Sequence, residues 1–331
     1  MTLIKPAYLI LISSILLISC GTDGRAQSSK PGSSKANASF PFKSAEGKAQ
    51  FMATYEANMK LWNVPYEAMD ISSRFGSTHL VACGPKDAPS IVLLHGFATS
   101  LAMWGDNVGD LSSDYRVYAL DVMGQPGRSI PSKSIETRED YVEWLTSVLD
   151  ALQIDKTHMI GMSYGGWLTL NYAIRAPKRL NKIVLLSPAG GFEPISFKAI
   201  ARAILGSLPG RYWSDSFMNW MVYKPETLDT TKKRKLDRML DLAYVGGKYF
   251  SAESMINPIV YEDKELNGVK TPTLLLIGEQ EVMYDPKAAI KNAAQLMPSV
   301  RTELVPEASH TMCFTRSEIV DQKILKFLKE G

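Results

Sequence analysis

The chain predicts an α/β protein whose central sheet is mostly parallel and covered by helices on both faces. Short apolar runs recur along it, helix-length segments separate them, and the runs are apolar throughout instead of alternating with polar residues. Strand-like runs fall at 90–94 (SIVLL), 116–121 (RVYALD), 157–161 (THMIG), 182–186 (KIVLL), 273–278 (TLLLIG) and 301–305 (RTELV). A strand buried on both faces has no polar side, which is why such runs carry no period of two. Between them, residues 136–152, 164–176, 286–296 and 318–329 have helical spacing. Residues 71–75 and 77–83 suit an antiparallel hairpin opening the sheet. No repeat of about 20–50 residues recurs, which argues against solenoids and propellers.

The length suggests one large domain or two modest ones. The 331 residues are 45% hydrophobic and 21% charged, enough apolar material for a sizeable core. A formal net charge of +3 is too weak to indicate nucleic-acid binding. Three cysteines make no disulfide framework, and no Cys/His group has zinc-ligand spacing, so no metal is expected. Cys83 and Cys313 are expected as free thiols.

The N-terminus reads differently. Lys5 precedes an almost unbroken apolar run over 7–18, the pattern of an export signal and too short for a confident membrane span. Leu17-Ile18-Ser19-Cys20-Gly21 resembles the bacterial lipobox, whose cysteine is acylated and becomes the first mature residue. Residues 1–19 are therefore expected as a lipoprotein signal peptide, with Cys20 carrying lipid and holding the protein at a membrane of the bacterial cell envelope, facing periplasm or exterior. Residues 20–39 are rich in Gly, Ser, Ala and Lys, expected as a flexible tether. The folded domain is expected over 40–331.

One stretch breaks the α/β alternation. Residues from about 192 to 262 hold Trp213, Phe217, Trp220, Met221, Tyr223, Met239 and Tyr249 with no strand rhythm, and predict a helical insertion over the sheet. The basic run 232–235 (KKRK) suits a solvated helix face or contact with anionic lipid.

The chemistry centres on Gly161-Met162-Ser163-Tyr164-Gly165-Gly166, where the run THMIG ends and a helix begins. A nucleophile on so sharp a turn needs small neighbours, and the following helix N-terminus favours developing negative charge. His95-Gly96-Phe97 follows SIVLL, where the Phe97 amide can join that of Tyr164 as an oxyanion hole. A serine needs a general base, and four histidines allow elimination. His79 and His158 fall in strands and His95 in the oxyanion loop, leaving His310 after the last strand, at the sheet's carboxyl edge. The supporting acid lies among Glu279, Glu281 and Asp285. Glu281 is favoured by its closeness to the strand end, while Asp285 before Pro286 suits a helix cap and stays open as the alternative.

These motifs together resemble an α/β-hydrolase of the alpha/beta-hydrolase-1 type over about residues 70–330. They are HGF at 95–97, Asp121 to Ser129 in the pattern D-x-x-G-x-x-x-x-S, GMSYGG at 161–166 and His310. Their chain order, Ser then acid then His, matches the family. The resemblance implies a lid over about 192–262, a structural role for 121–129, and hydrolysis through an acyl-enzyme without cofactor or metal. The family usually has Asp where Glu281 stands, which keeps Asp285 in play. Ser163 argues against the dehalogenase and epoxide hydrolase relatives, whose nucleophile is Asp. A small-molecule ester with an apolar acyl or aromatic part is the expected substrate. A C–C bond hydrolase, lipase, aminopeptidase or idle ligand-binding scaffold remain the alternatives.

Overall fold

A computed structural model describes residues 41–251 and 256–330. The export segment, Cys20 and the expected tether lie outside the described residues. The sheet contains β1 (Glu67–Ser73), β2 (Gly76–Cys83), β3 (Ser90–Leu94), β4 (Arg116–Leu120), the two-residue β5 (Ile130–Pro131), β6 (Thr157–Met162), β7 (Leu180–Leu186), β8 (Thr273–Gly278) and β9 (Val300–Val305). Its order is β1-β2-β4-β3-β6-β7-β8-β9, with β5 beside β2. β2 pairs antiparallel with β1, β4 and β5, and every pairing from β4–β3 to β8–β9 is parallel.

The helices are α1 (Ala45–Met59), α2 (Val108–Leu111), α3 (Arg138–Ala151), α4 (Tyr164–Arg175), α5 (Phe197–Gly206), α6 (Arg211–Trp220), α7 (Thr230–Tyr249), α8 (Asp263–Gly268), α9 (Pro286–Leu296), α10 (Met312–Thr315) and α11 (Ser317–Lys329). Local chemistry starts several of them. Thr137 caps α3 in a reciprocal capping box with Asp140, and Tyr141, Trp144, Leu145, Val148 and Leu149 form its buried stripe. Asp285 caps α9, with Pro286 in its first turn.

Successive residues of the parallel strands feed opposite cores, as a period of two requires. Ile91 and Leu93 pack with Phe51, Leu101, Trp104 and Ile324 on one face, while Val92 and Leu94 pack with Trp144, Trp167 and Leu168 on the other. Each such side chain contributes about 1.5–3 kcal/mol by full burial.

Two features go beyond the sequence pattern. Helix α1, with Ser44 as its cap, buries Phe51, Tyr55 and Met59 and packs against α7. The insertion is helical in α5, α6 and α7, and its base is closed by a bridge between Gly191 and Val260. Met218, Met221, Val222, Leu236, Leu240 and Ala243 form its own small core with Phe314. The basic run 232–235 is only partly a solvated face: Lys235 pairs with Asp106, and Lys232 Nζ donates to Thr315 O at 3.2 Å.

Candidate active site

The site is assembled at the carboxyl edge of the parallel strands. Ser163 lies between β6 and α4 with φ 52° and ψ −114°, a conformation that non-glycine residues seldom adopt. The flanking glycines make the turn possible. A Cβ on Gly161 would sit 2.1 Å from Gly165 O, and one on Gly165 would sit 2.1 Å from Leu94 O. Ser163 N donates to Leu186 O at 2.9 Å, and its carbonyl accepts from Ala189 N and Trp167 N, both at 3.0 Å. The strained residue is thereby held by its own backbone, leaving the hydroxyl free to point at the edge.

Acid and base arrive on adjacent strands. β8 and β9 pair in parallel up to Gly278 and Val305, and beyond them Glu279 N donates to Val305 O at 2.9 Å and Gln280 N to Ala308 O at 2.8 Å. Gly278 is required here because a Cβ would meet Ala308 O and Ser309 O at 2.6 Å. The two loops are thus zipped together, which carries Glu281 to His310.

His310 Nε2 lies 2.8 Å from Ser163 Oγ, and its Nδ1 is 3.0 Å from both Glu281 oxygens. All three residues are buried. With Nδ1 protonated toward the carboxylate, Nε2 is left to accept the serine proton. Glu281 Oε1 also accepts Val282 N and Met283 N, each at 2.9 Å. Burial pushes the Glu281 carboxyl up, but the facing His310 imidazole and the hydrogen bonds it receives prevail and hold it below the ordinary value. The carboxylate is therefore kept charged beside the His310 ring. Asp285 does not join them: its Oδ1 accepts Lys287 N at 2.9 Å and Ala288 N at 3.2 Å at the start of α9.

The other histidines have separate positions. His79 Nδ1 is 2.7 Å from Asp70 Oδ1, and His158 lies buried in β6. His95 is buried, with Nδ1 donating to Gly96 O at 2.8 Å and Nε2 accepting Val122 N at 2.9 Å, so it ties the loop after β3 to the loop after β4. Burial lowers its pKa, consistent with the neutral ring these bonds need.

β3 and β6 pair at Leu94 and Gly161, so residues 95–97 run beside 162–164. A Cβ on Gly96 would lie 3.5 Å from Ser163 Cβ and 2.9 Å from Met162 Sδ, which shows how closely this backbone passes the serine. Tyr164 is the first residue of α4, where the amide has no partner within the helix.

Thr99, Met103, Tyr55, Ser187 and Tyr284 support the site and escaped the sequence reading, whereas 121–129 was expected to be structural. Gly96 N contacts Met103 Sδ at 3.4 Å, and Thr99 Oγ1 donates to Gly96 O at 2.8 Å. Asp121 receives Leu101 N at 2.9 Å, Arg128 N at 2.7 Å and Tyr55 Oη at 3.1 Å, while Ser129 Oγ donates to Asp121 O at 2.7 Å. The stretch 121–129 thus braces the loops around the site. Ser187, with φ 39°, and the buried Tyr284 border Glu281. The β-strand ends could have pointed to Ser187, but nothing in linear spacing singles out Tyr284.

A serine raised on a strand-to-helix turn, backed in space by residues from the last two strands, is the arrangement of an α/β-hydrolase. The chain belongs to the alpha/beta hydrolase fold family, whose sequence profile matches residues 89–231, and it is a hydrolase. It is 36% identical over 293 residues to carboxylesterase YbfK of Bacillus subtilis (strain 168), covering 88% of this chain and 98% of that one. Among solved structures, naproxen esterase (carboxylesterase NP) from Bacillus subtilis matches with a TM-score of 0.79 at 34% identity, over 87% of this chain and all of that one. Carboxylesterase CesB (YbfK) from the same organism matches with the same TM-score and identity.

Proposed function

We propose that this chain is a carboxylesterase working through an acyl-enzyme, with Ser163 as nucleophile, His310 as general base and acid, and Glu281 as the supporting carboxylate. The observation that carries the reading is the continuous hydrogen-bonded line from Ser163 Oγ through His310 to Glu281. The carboxylesterases among its relatives support an ester as substrate. Ser163 Oγ attacks the ester carbonyl carbon while its proton passes to His310 Nε2. The oxyanion is received by the amides of Phe97 and Tyr164, aided by the N-terminus of α4. The tetrahedral intermediate then expels the alcohol, which takes the proton from Nε2. Water repeats the sequence on the acyl-serine and releases the carboxylic acid.

Ser163→Ala should reduce kcat by about 10⁴-fold or more on a short-chain p-nitrophenyl ester. It should also abolish labelling by a fluorophosphonate probe. A folded parent protein that takes no label at Ser163 would overturn the reading.

The lipobox supports a second part: Cys20 is acylated, and the enzyme is tethered at the bacterial cell envelope on the outer side of a membrane. Mass analysis of the mature N-terminus tests it. An unmodified Cys20 in protein recovered from membranes would refute acylation.

A further inference from the structure

The lid carries a surface that the ester chemistry does not use. Nine large apolar side chains are strongly exposed among the described residues, and five stand on α5, α6 and the turn between them: Phe197, Leu205, Leu208, Tyr212 and Trp213. Phe197 and Tyr212 are 76% and 74% exposed. Such clustering distinguishes a contact surface from the scattered apolar residues of any protein exterior. Helix α5 fully buries only Ala199, while Phe197, Lys198, Ala203 and Leu205 are exposed and the rest of the helix is partly covered.

Charge defines what this surface fits. Phe197, Ala201 and Leu205 repeat every four residues along one face of α5, and Lys198 and Arg202 run beside them at the same spacing. Helix α5 contains no acidic residue. Lys198 Nζ and the Arg202 guanidinium lie 5.8 and 5.0 Å from the Trp220 ring centre, which leaves their charges at the rim of the apolar ridge. An apolar ridge edged by cations is complementary to a bilayer with anionic headgroups.

The path of the chain points the same way. Pro41 O accepts Ser251 N at 2.8 Å and Lys43 N donates to Tyr249 O at 2.8 Å, so the N-terminal segment joins the fold at the end of α7. Arg211, which opens α6, contacts Asp241 and lies 5.9 Å from the Tyr244 ring centre on that same helix. From Tyr244 to Tyr249 the helix rises only about 8 Å. A lipid-bearing Cys20 would thus be joined to the fold on the lid side.

We infer that the α5–α6 face docks directly on an anionic bilayer, turning the lid toward the membrane. This extends the tethered reading above, yet the contact is made by the folded lid and differs from acylation of Cys20. Ser196 N donates to Met283 O at 2.8 Å, so α5 springs from the loop that holds Glu281. Docking would therefore set the membrane near the loop that holds Glu281.

The test uses the chain at its expected mature length, beginning at residue 20 with Cys20→Ser so that neither the export segment nor lipid is present; since Cys83 and Cys313 are buried, a new surface cysteine is then the accessible thiol. An environment-sensitive fluorophore is placed at Tyr212→Cys or, as control, at Asp87→Cys in the exposed turn before β3, away from the site edge. Vesicles are phosphatidylcholine with or without phosphatidylglycerol, doped with nitroxide lipid. The label at 212 should shift to the blue and be quenched, most strongly with phosphatidylglycerol, while the label at 87 stays unquenched. Adding Lys198→Glu and Arg202→Glu should lower the docked fraction on anionic vesicles about tenfold or more. Hydrolysis of a soluble ester reports that each labelled protein is folded. Docking is overturned if vesicle-bound protein leaves the 212 label as unquenched as the 87 label, or if the protein does not bind anionic vesicles. It is also overturned if the 212 label is already buried without vesicles, by a second copy (burial rising with protein concentration) or by the chain's own N-terminal segment (burial independent of it).

Discussion

At the scale of single residues, the site separates two carboxylates that sequence spacing leaves close. Glu281→Gln should reduce kcat by about 10⁴-fold on a p-nitrophenyl ester, because the neutral amide no longer fixes the imidazole or balances its charge. Asp285→Ala should leave kcat within a few-fold and destabilise the fold by about 0.5–2 kcal/mol in denaturant titrations, the cost of losing a helix cap. The reverse pattern would move the role to Asp285. Ser163 and His310 were legible because a nucleophile turn has strict small-residue demands and only four histidines compete. The acid was less legible because direction within a loop is not encoded by spacing. The α9 cap occupies Asp285, and the turn at Gly278–Glu281 aims the other carboxylate inward. Gly165→Ala gives a further residue-level expectation: the added Cβ meets Leu94 O, so the variant should lose several kcal/mol or fail to yield folded protein, as read by circular dichroism.

At the scale of elements, the apolar strands were readable because burial on both faces leaves no polar alternation to obscure them. Helix α1 was not: Phe51, Tyr55 and Met59 stand four residues apart, but Met52, Ala53 and Ala57 between them and the absence of an adjoining strand blur the stripe. Tyr55→Phe should lower stability by about 1–2 kcal/mol by removing the hydrogen bond to buried Asp121, measurable as a shifted denaturation midpoint. Helix α11 brings a different liability. Asp321 Oδ1 accepts Asn107 Nδ2 at 2.9 Å, while its Oδ2 and Asn107 Oδ1 are buried without hydrogen-bond partners among the described residues. Burial pushes the Asp321 carboxyl up to about 8. A proton on Oδ2 spares the buried carboxyl an uncompensated charge. Between the unfolded value near 3.9 and about 8, the unfolded chain releases this proton and the folded chain keeps it. Stability therefore falls with rising pH by up to about 1.4 kcal/mol per unit and levels off above that window. Asp321→Asn should accordingly raise Tm at pH 8 and change it little at pH 4. An equal shift at both values would exclude this titration.

At the scale of the whole molecule, the lid is where sequence and structure part most. Its aromatic and methionine content indicates packing, and a real core exists around Met218, Met221 and Leu236. Which aromatic residues stay outside depends on how α5 and α6 lean on α7, and periodicity cannot give that. The basic run 232–235 illustrates the point: Lys232 and Lys235 turn inward, while Lys198 and Arg202 edge the outer ridge. If the tether at Cys20 operates as proposed, the parent protein should partition into the detergent phase of Triton X-114. A Cys20→Ser chain cleaved to the same mature length should remain in the aqueous phase.

The zipped ends of β8 and β9 also carry a consequence for biosynthesis. Ser163 and His310 are 147 residues apart, and the serine turn needs only β3, β6, β7 and α4 around it. A growing chain can therefore shape its nucleophile long before the base has been synthesised. During that interval the hydroxyl remains an ordinary alcohol, unable to acylate itself with whatever ester it meets. With the roles proposed above, the hydroxyl would gain its base only once β9 has paired with β8 and His310 has followed, so activity and the completed sheet would arrive together.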